Sequence, residues 1–278
     1  MSRVDVRKTY KLYIGGDFPR SESGRSYPVN SAKGEFLANA VRASRKDLRD
    51  AVVAARKAQP KWEGATAYNR GQVLYRVAEM MESRRADLID EVANAEGKRN
   101  ASKQVDDAID TFVWYAGLTD KLAQIAGGLN QVAGPYFNLT APEATGVVGI
   151  VAPPEPSLGG LVGRLAPALC GGNAVVAIAS ERFPLVSITL AECLATADVP
   201  GGVVNILTGH GWELVPVLAS HGDVDAIDVT GVAAEMLMEV EQAAAGNVKR
   251  VVTAGAHNSP YEVTAFMEMK TVWHPKGP

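Results

Sequence analysis

The sequence predicts an α/β protein: a doubly wound parallel sheet, preceded by helices and accompanied by a small β arm. Three observations carry that expectation. Short apolar runs alternate with helical stretches from Gly146 to Val251, helical apolar spacing fills the first half, and strict alternation marks Tyr136-Phe137-Asn138-Leu139-Thr140. Strands that alternate with helices and are apolar throughout belong to a parallel sheet covered on both faces.

Strands are expected at residues 147–151, 174–178, 203–207, 226–229 and 249–252. Helices are expected between them at 157–169, 185–196, 213–220 and 233–245. Upstream, Val73, Val77, Met80, Arg84, Leu88 and Val92 recur at helical spacing, opposite Arg76, Glu79, Glu82 and Arg85. Val105, Ile109, Phe112, Ala116, Thr119 and Ala123 repeat the pattern on a longer helix, expected from about 102 until Gly127-Gly128 stops it. An earlier helix, near 46–58, is expected to end before Pro60. The alternating segment at 136–140, bounded by Gly134-Pro135 and Pro142, reads as a hairpin leaving the body.

At 278 residues with 47% apolar and 21% charged content, the chain can bury a substantial core without staples. A net charge of −3 provides no electrostatic pull toward nucleic acid or an anionic membrane. The N-terminus, Met1-Ser2-Arg3-Val4-Asp5-Val6-Arg7-Lys8, carries no apolar leader pattern. The most apolar stretch, residues 161–179, is broken by Arg164, Pro167 and Gly171-Gly172, so it reads as helix, turn and buried strand rather than a membrane span. Cys170 and Cys193 form no CxxC pair and fit a reducing, cytoplasmic setting.

Gly146-Val147-Val148-Gly149-Ile150-Val151-Ala152-Pro153, Leu165-Ala166-Pro167-Ala168-Leu169, Gly172-Asn173, Pro200-Gly201-Gly202-Val203-Val204-Asn205 and Thr230-Gly231 resemble the cofactor-binding half of aldehyde dehydrogenases. Leu12-Tyr13-Ile14-Gly15-Gly16 and Met269-Lys270-Thr271-Val272-Trp273 resemble that family's first and last segments. The resemblance runs through nearly the whole chain in order. It implies a Rossmann-like nucleotide-binding domain at 1–256 with a hairpin arm at about 130–145. A C-terminal oligomerisation strand follows at 257–278, and the catalytic domain is expected to be absent.

The departures from the family matter most. Its Trp-Asn-Phe-Pro run, whose Asn steadies an oxyanion, is Pro154-Glu155-Pro156-Ser157 here. Losing one such donor costs roughly 100- to 1000-fold in rate, and a carboxylate in its place costs more. The family's Lys and Glu on the adenosine ribose correspond to Ile178-Ala179-Ser180-Glu181, which keeps only the Glu. Its Thr-Gly-Ser facing the pyrophosphate is Thr230-Gly231-Val232, and the glycine expected five residues beyond Gly231 is Met236. Together these losses imply binding weaker by roughly 2–4 kcal/mol, so no cofactor, or at best a weakly held NAD or NADP, is expected. The vestigial cofactor positions are Glu181, Gly231 and Val232. The family's Leu-Glu-Leu-Gly-Gly, with its general base, is Val252-Thr253-Ala254-Gly255-Ala256, and no catalytic residue is assigned. Cys170, beside the Gly171-Gly172 turn after an expected helix, and Cys193, inside another, both read as small apolar residues.

Other constellations have plain readings. Gly209-His210-Gly211 is a turn leading into a helix, because no third glycine follows. His210, His221, His257 and His274 lack metal-ligand spacing. Asp223, Asp225 and Asp228 fit a loop running into a strand. Arg42, Arg45, Lys46 and Arg49, like Arg84-Arg85, read as solvated faces.

Residues 263–273 read as a further strand whose exposed edge would be an aggregation hazard unless paired. Engagement of a partner subunit is the expectation, with folding back onto the chain's own hairpin as the alternative. The expected interface residues are Tyr136, Phe137, Leu139, Phe266, Met267, Met269, Val272 and Trp273. One branch of the family fuses a complete copy to a second copy that lacks the catalytic domain, and this chain resembles that second copy. The function expected is a non-catalytic subunit assembling with itself or with a complete aldehyde dehydrogenase. A dinucleotide-sensing module is the first alternative, and an active aldehyde oxidoreductase the second.

Overall fold

Two consecutive strands of the chain, separated by Thr145 and Gly146 alone, enter different sheets. The structure is a computed structural model that describes residue 4 and residues 8–277; most of the stretch read for a leader lies outside the described residues.

The N-terminal portion opens with an antiparallel pair, β1 (Ser26–Asn30) and β2 (Phe36–Val41), which the sequence reading did not anticipate. Helix α1 (Arg45–Glu63) starts at a capping box in which Ser44 and Asp47 satisfy each other's backbone N–H groups. Contrary to expectation, α1 runs through Pro60. The proline sits in the last turn on the solvent side, while Trp62 behind it is buried and donates Nε1–H to the Leu169 carbonyl at 3.2 Å. That anchorage outweighs the single hydrogen bond a late proline removes.

The stripe from Val73 to Val92 is two helices, α2 (Ala67–Ser83) and α3 (Arg85–Ala95), hinged at Arg84. The true core face of α2 is Leu74, Val77, Ala78 and Met81, one residue round from the expected stripe. Helix α4 (Ala101–Leu118) does not reach Gly127; a 3₁₀ turn and a short α5 (Leu122–Ala126) follow it. Leu122 rather than Ala123 takes the buried place there.

The main sheet contains β5 (Val147–Val151), β6 (Ala174–Ile178), β7 (Val204–Leu207), β8 (Ala226–Asp228) and β9 (Arg250–Val252). All are parallel, in the order β7-β6-β5-β8-β9. They are linked by α6 (Ser157–Cys170), α7 (Leu185–Thr196), α8 (Gly211–Ser220) and α9 (Ala234–Ala245). The doubly wound prediction therefore holds. Every residue of β5 and β6 is buried. Val148, Ile150, Val175 and Ala177 face one core with α2, α4, α6 and α7, while Val147, Val151, Val176 and Ile178 face another with α1, α8 and α9. Near β7, Tyr13 and Ile206 exchange backbone bonds of 2.9 and 2.7 Å, so the N-terminal segment covers that edge.

The arm is a second, three-stranded sheet. Its centre is β4 (Tyr136–Ala144), flanked by β3 (Gly128–Asn130) and β10 (Met267–Pro275). β10 pairs with β4 antiparallel over nine residues, from Met267↔Ala144 to Pro275↔Tyr136. The tail has thus folded back onto its own hairpin, the alternative the sequence left open. Ser259 caps and Pro260 begins a short helix, α10 (Pro260–Thr264), so the tail strand starts later than expected. Phe266 and Met267, expected at an interface, are buried in the main core instead. Asn173 Nδ2 donates to the Phe266 carbonyl at 3.0 Å and Arg250 Nη1 to that of Met267 at 2.6 Å, which holds both residues inward.

Candidate functional site

In an open parallel sheet, ligands bind beyond the carboxyl ends of the strands, where the winding reverses. Here that point lies between β5 and β8. Gly231 donates its N–H to the Val151 carbonyl at 3.0 Å, and a Cβ there would overlap the backbone oxygens of Val151 and Ala152. Only glycine permits this crossing.

A dinucleotide in such a crevice is held by free N–H groups at helix N-termini. The helices after β5 and β7 have little to offer. At the start of α6, Ser157 N–H donates to Glu96 Oε1 at 2.8 Å, while Leu158 and Gly159 N–H donate to Gln104 Oε1 at 2.9 and 3.2 Å. At the start of α8, Gly211 N–H donates to Glu181 Oε2 at 2.8 Å, and the other carboxylate oxygen meets His210 Nδ1 at 2.8 Å. Glu181, retained as the ribose-binding position, is thereby engaged as a helix cap.

The start of α9 has no side-chain cap, but Val232 and Met236 pack there against the core under α8 and α9. Ile178, where the family carries Lys, is buried in β6. The N–H groups at the starts of α6 and α8 are thus taken up by side chains, while the start of α9 is left uncapped.

Glu155, at the position of the oxyanion donor, is exposed and paired with Arg182 at 2.6 Å. Beneath the switch point Arg164 Nε meets Asp228 at 2.6 Å, and its Nη1 pairs with Glu262 of α10. All three are buried. Sequence reasoning missed this triad, which ties α6, β8 and the tail together. A cavity of about 170 Å³ opens beside it, lined by Thr111, Tyr115, Thr230 and His257 among others. Thr253, in the general base's place, has no carboxylate. The neighbouring Ala254 N–H donates to Thr230 Oγ1 at 2.8 Å.

Neither cysteine is activated as a nucleophile. Cys170 and Cys193 are wholly buried, and burial pushes their thiols up to about 12 and about 11. A thiol held protonated in this way is no nucleophile. Among the described residues no group of His, Cys, Asp or Glu could hold a metal ion. The three loop aspartates do not converge: Asp225 binds Arg56 and Val147 N–H, Asp228 binds Arg164, and Asp223 is exposed. Among the described residues no helix is long and apolar enough to cross a membrane.

The arm is the other candidate. Tyr136, Phe137, Leu139, Met269, Val272 and Trp273 are 41–60% exposed on it. Leu129, which sequence reading passed over, is 63% exposed beside them. Trp273 packs edge-on against Tyr136 at 5.8 Å, and Thr140 and Thr271 share a 2.9 Å bond at the sheet's middle.

The sequence profile of the aldehyde dehydrogenase family matches residues 18–273. Human retinal dehydrogenase 2 is 35% identical over 273 residues, which is 96% of this chain and 52% of that protein. Cytosolic aldehyde dehydrogenase 1 of Elephantulus edwardii is 34% identical over 266 residues, 93% of this chain and 52% of its own length. Among solved structures, betaine aldehyde dehydrogenase of Staphylococcus aureus, crystallised with NAD+, superposes with a TM-score of 0.82 at 26% identity. That match covers 87% of this chain and 48% of the other. The chain spans about half the length of the curated relatives it matches. With the sheet order, the glycine crossing at the switch point and the profile match in agreement, the chain belongs to the aldehyde dehydrogenase family.

Proposed function

We propose that this chain is a non-catalytic aldehyde dehydrogenase-like subunit that assembles with itself or with a complete aldehyde dehydrogenase through its three-stranded arm. The observation that carries the proposal is the arm itself. β4 and β10 are zipped over nine residues, yet exposed apolar side chains remain on them and, among the described residues, the outer edge of β10 has no strand beside it. An open edge of this kind is a template for another chain.

The absence of catalysis rests on the buried, unactivated thiols and on Glu155 and Thr253 in the oxyanion-donor and base positions. NAD or NADP is at best a weak ligand, because Glu96, Gln104 and Glu181 occupy the N–H groups a pyrophosphate or ribose would approach. Unpaired cysteines fit a reducing compartment, and we place the protein in the cytoplasm.

Mixing the purified chain with a complete dehydrogenase from the same source is expected to produce a hetero-complex on a sizing column. Failing that, the chain alone elutes as a homo-oligomer. Monomeric elution in both experiments overturns the reading. Calorimetry with NAD and NADP is expected to show no tight binding. Aldehyde oxidation by the isolated chain that survives thiol alkylation would remove the non-catalytic assignment.

A further inference from the structure

Between the N-terminal turns of α1 and α8 lies a cleft of about 770 Å³, walled by Arg25, Arg45, Lys46, Arg49 and the Trp212 ring. Its charges do not balance. Glu213 takes Arg42 in a two-pronged pair, at 2.9 Å to Nε and 2.6 Å to Nη2, and leaves Arg25 Nη1 3.5 Å away. Glu22 is taken by Lys46. Arg45 and Arg49 have no ion pair or hydrogen-bond partner among the described residues. They stand one turn apart on the first turns of α1, where like charges repel each other and cations oppose the helix dipole. The fold gains nothing from cations in those positions, and an anion between them would relieve both penalties.

The same wall carries an aromatic surface. Trp212 is 63% exposed, stacked nearly parallel to His210 at 6.2 Å with 13° between the rings, and Arg42 lies 5.8 Å from the indole centre. A fixed, accessible indole offers a platform for a flat base, and paired guanidinium groups offer forks for phosphate oxygens. The two carboxylates that line the cleft, Glu22 and Glu213, are paired with Lys46 and Arg42. Glu181, Val232 and Met236 do not line this cleft; it meets the crevice at the start of α8, where Glu181 caps Gly211 and bonds His210.

We propose that this cleft binds a small nucleoside phosphate, its base on Trp212 and its phosphates between Arg45 and Arg49. The test uses ADP as the probe, followed by tryptophan fluorescence at low and raised salt, with adenosine and inorganic pyrophosphate as the two halves. ADP is expected to bind saturably, more weakly as salt rises, and more tightly than either half. The double variant Arg45→Glu/Arg49→Glu is expected to raise the dissociation constant by roughly tenfold or more. Its melting temperature should hold or rise, because glutamates suit a helix N-terminus. Trp212→Leu, read by calorimetry, should erase the preference for ADP over pyrophosphate. No saturable signal at millimolar ADP overturns the proposal. So does binding that survives the double variant but is lost in Glu181→Ala, which would place the ligand in the crevice. The arm is touched by neither variant, so failure here leaves the assembly reading standing.

Discussion

β4 and β5 follow one another along the chain with two residues between them, yet β5 is buried at every position and β4 at Asn138 alone. Both contain strand-forming residues, so propensity does not separate them. What separates them is cover. β5 has β6 on one side, β8 on the other and helices on both faces, whereas β4 has two strands beside it and no comparable cover. The turn between them is Gly146, at φ +132°, where a Cβ would overlap the Asp225 carboxylate. The body has cover on both faces of its sheet; a three-stranded sheet open on its faces is marginal unless something packs on it.

The largest effect is expected at the joint between the two regions. Arg164→Met should cost about 3–5 kcal/mol in denaturant unfolding, because Asp228 and Glu262 are left buried without their counter-charge. A loss below about 1 kcal/mol would mean that the tail is not anchored through this triad.

Next comes the comparison itself. Ile150→Ala in β5 removes a fully buried side chain and should cost about 2–5 kcal/mol. Val272→Ala in β10, where the side chain is 60% exposed, should change stability by less than about 0.5 kcal/mol at concentrations too low for association. Equal losses at the two sites would erase the distinction between body and arm.

The difference in cover also explains what the sequence could reveal. β5, β6 and α7 lie where they were expected, at Val147–Val151, Ala174–Ile178 and Leu185–Thr196, because a fully buried strand or helix writes itself as an unbroken apolar run. The β1–β2 pair went unseen because only Val29, Ala38, Ala40 and Val41 of it are buried, too few to show a period. Pro60 misled because a tertiary anchor, Trp62, outweighed a local breaker. At the candidate crevice, the losses at Ile178, Val232 and Met236 were legible as residue types. The capping of α6 by Glu96 and Gln104 was not, since those partners are 61 and 54 residues distant. Phe266 and Met267 carry the same apolar signature as Met269 and Val272. Only the position of α10 decides that the first pair turns inward.

The arm should respond to charge in association rather than in folding. Val272→Lys with Trp273→Lys places two cations on the exposed sheet, and the complex or oligomer seen on a sizing column is expected to weaken by tenfold or more. The monomer's unfolding free energy should fall by no more than about 1.5 kcal/mol, the worth of the lost Trp273–Tyr136 contact. If it falls further while the elution volume is unmoved, those side chains serve the chain's own fold and the body-and-arm division is misplaced.

The smallest expected effect is a pH dependence confined to the body. Lys249 is buried where α9 turns into β9, with Nζ donating to the His221 carbonyl at 2.9 Å and to that of Val224. Burial is the main cause that pushes its ammonium down to about 8; Asp225 opposes the shift and Arg56 adds to it. Between that value and 10.5 the unfolded chain therefore holds more protons than the folded one, and stability rises with pH through the window. The two buried thiols act the other way from about pH 8 upward, where unfolded cysteines begin to ionise and the buried ones do not. The Lys249 contribution is cleanest near pH 8, before the thiols contribute much, on the order of a few tenths of a kcal/mol per pH unit after solvent screening. Lys249→Met should remove that slope in denaturant titrations while Val272→Ala leaves it intact; a slope that persists in Lys249→Met assigns it to another group.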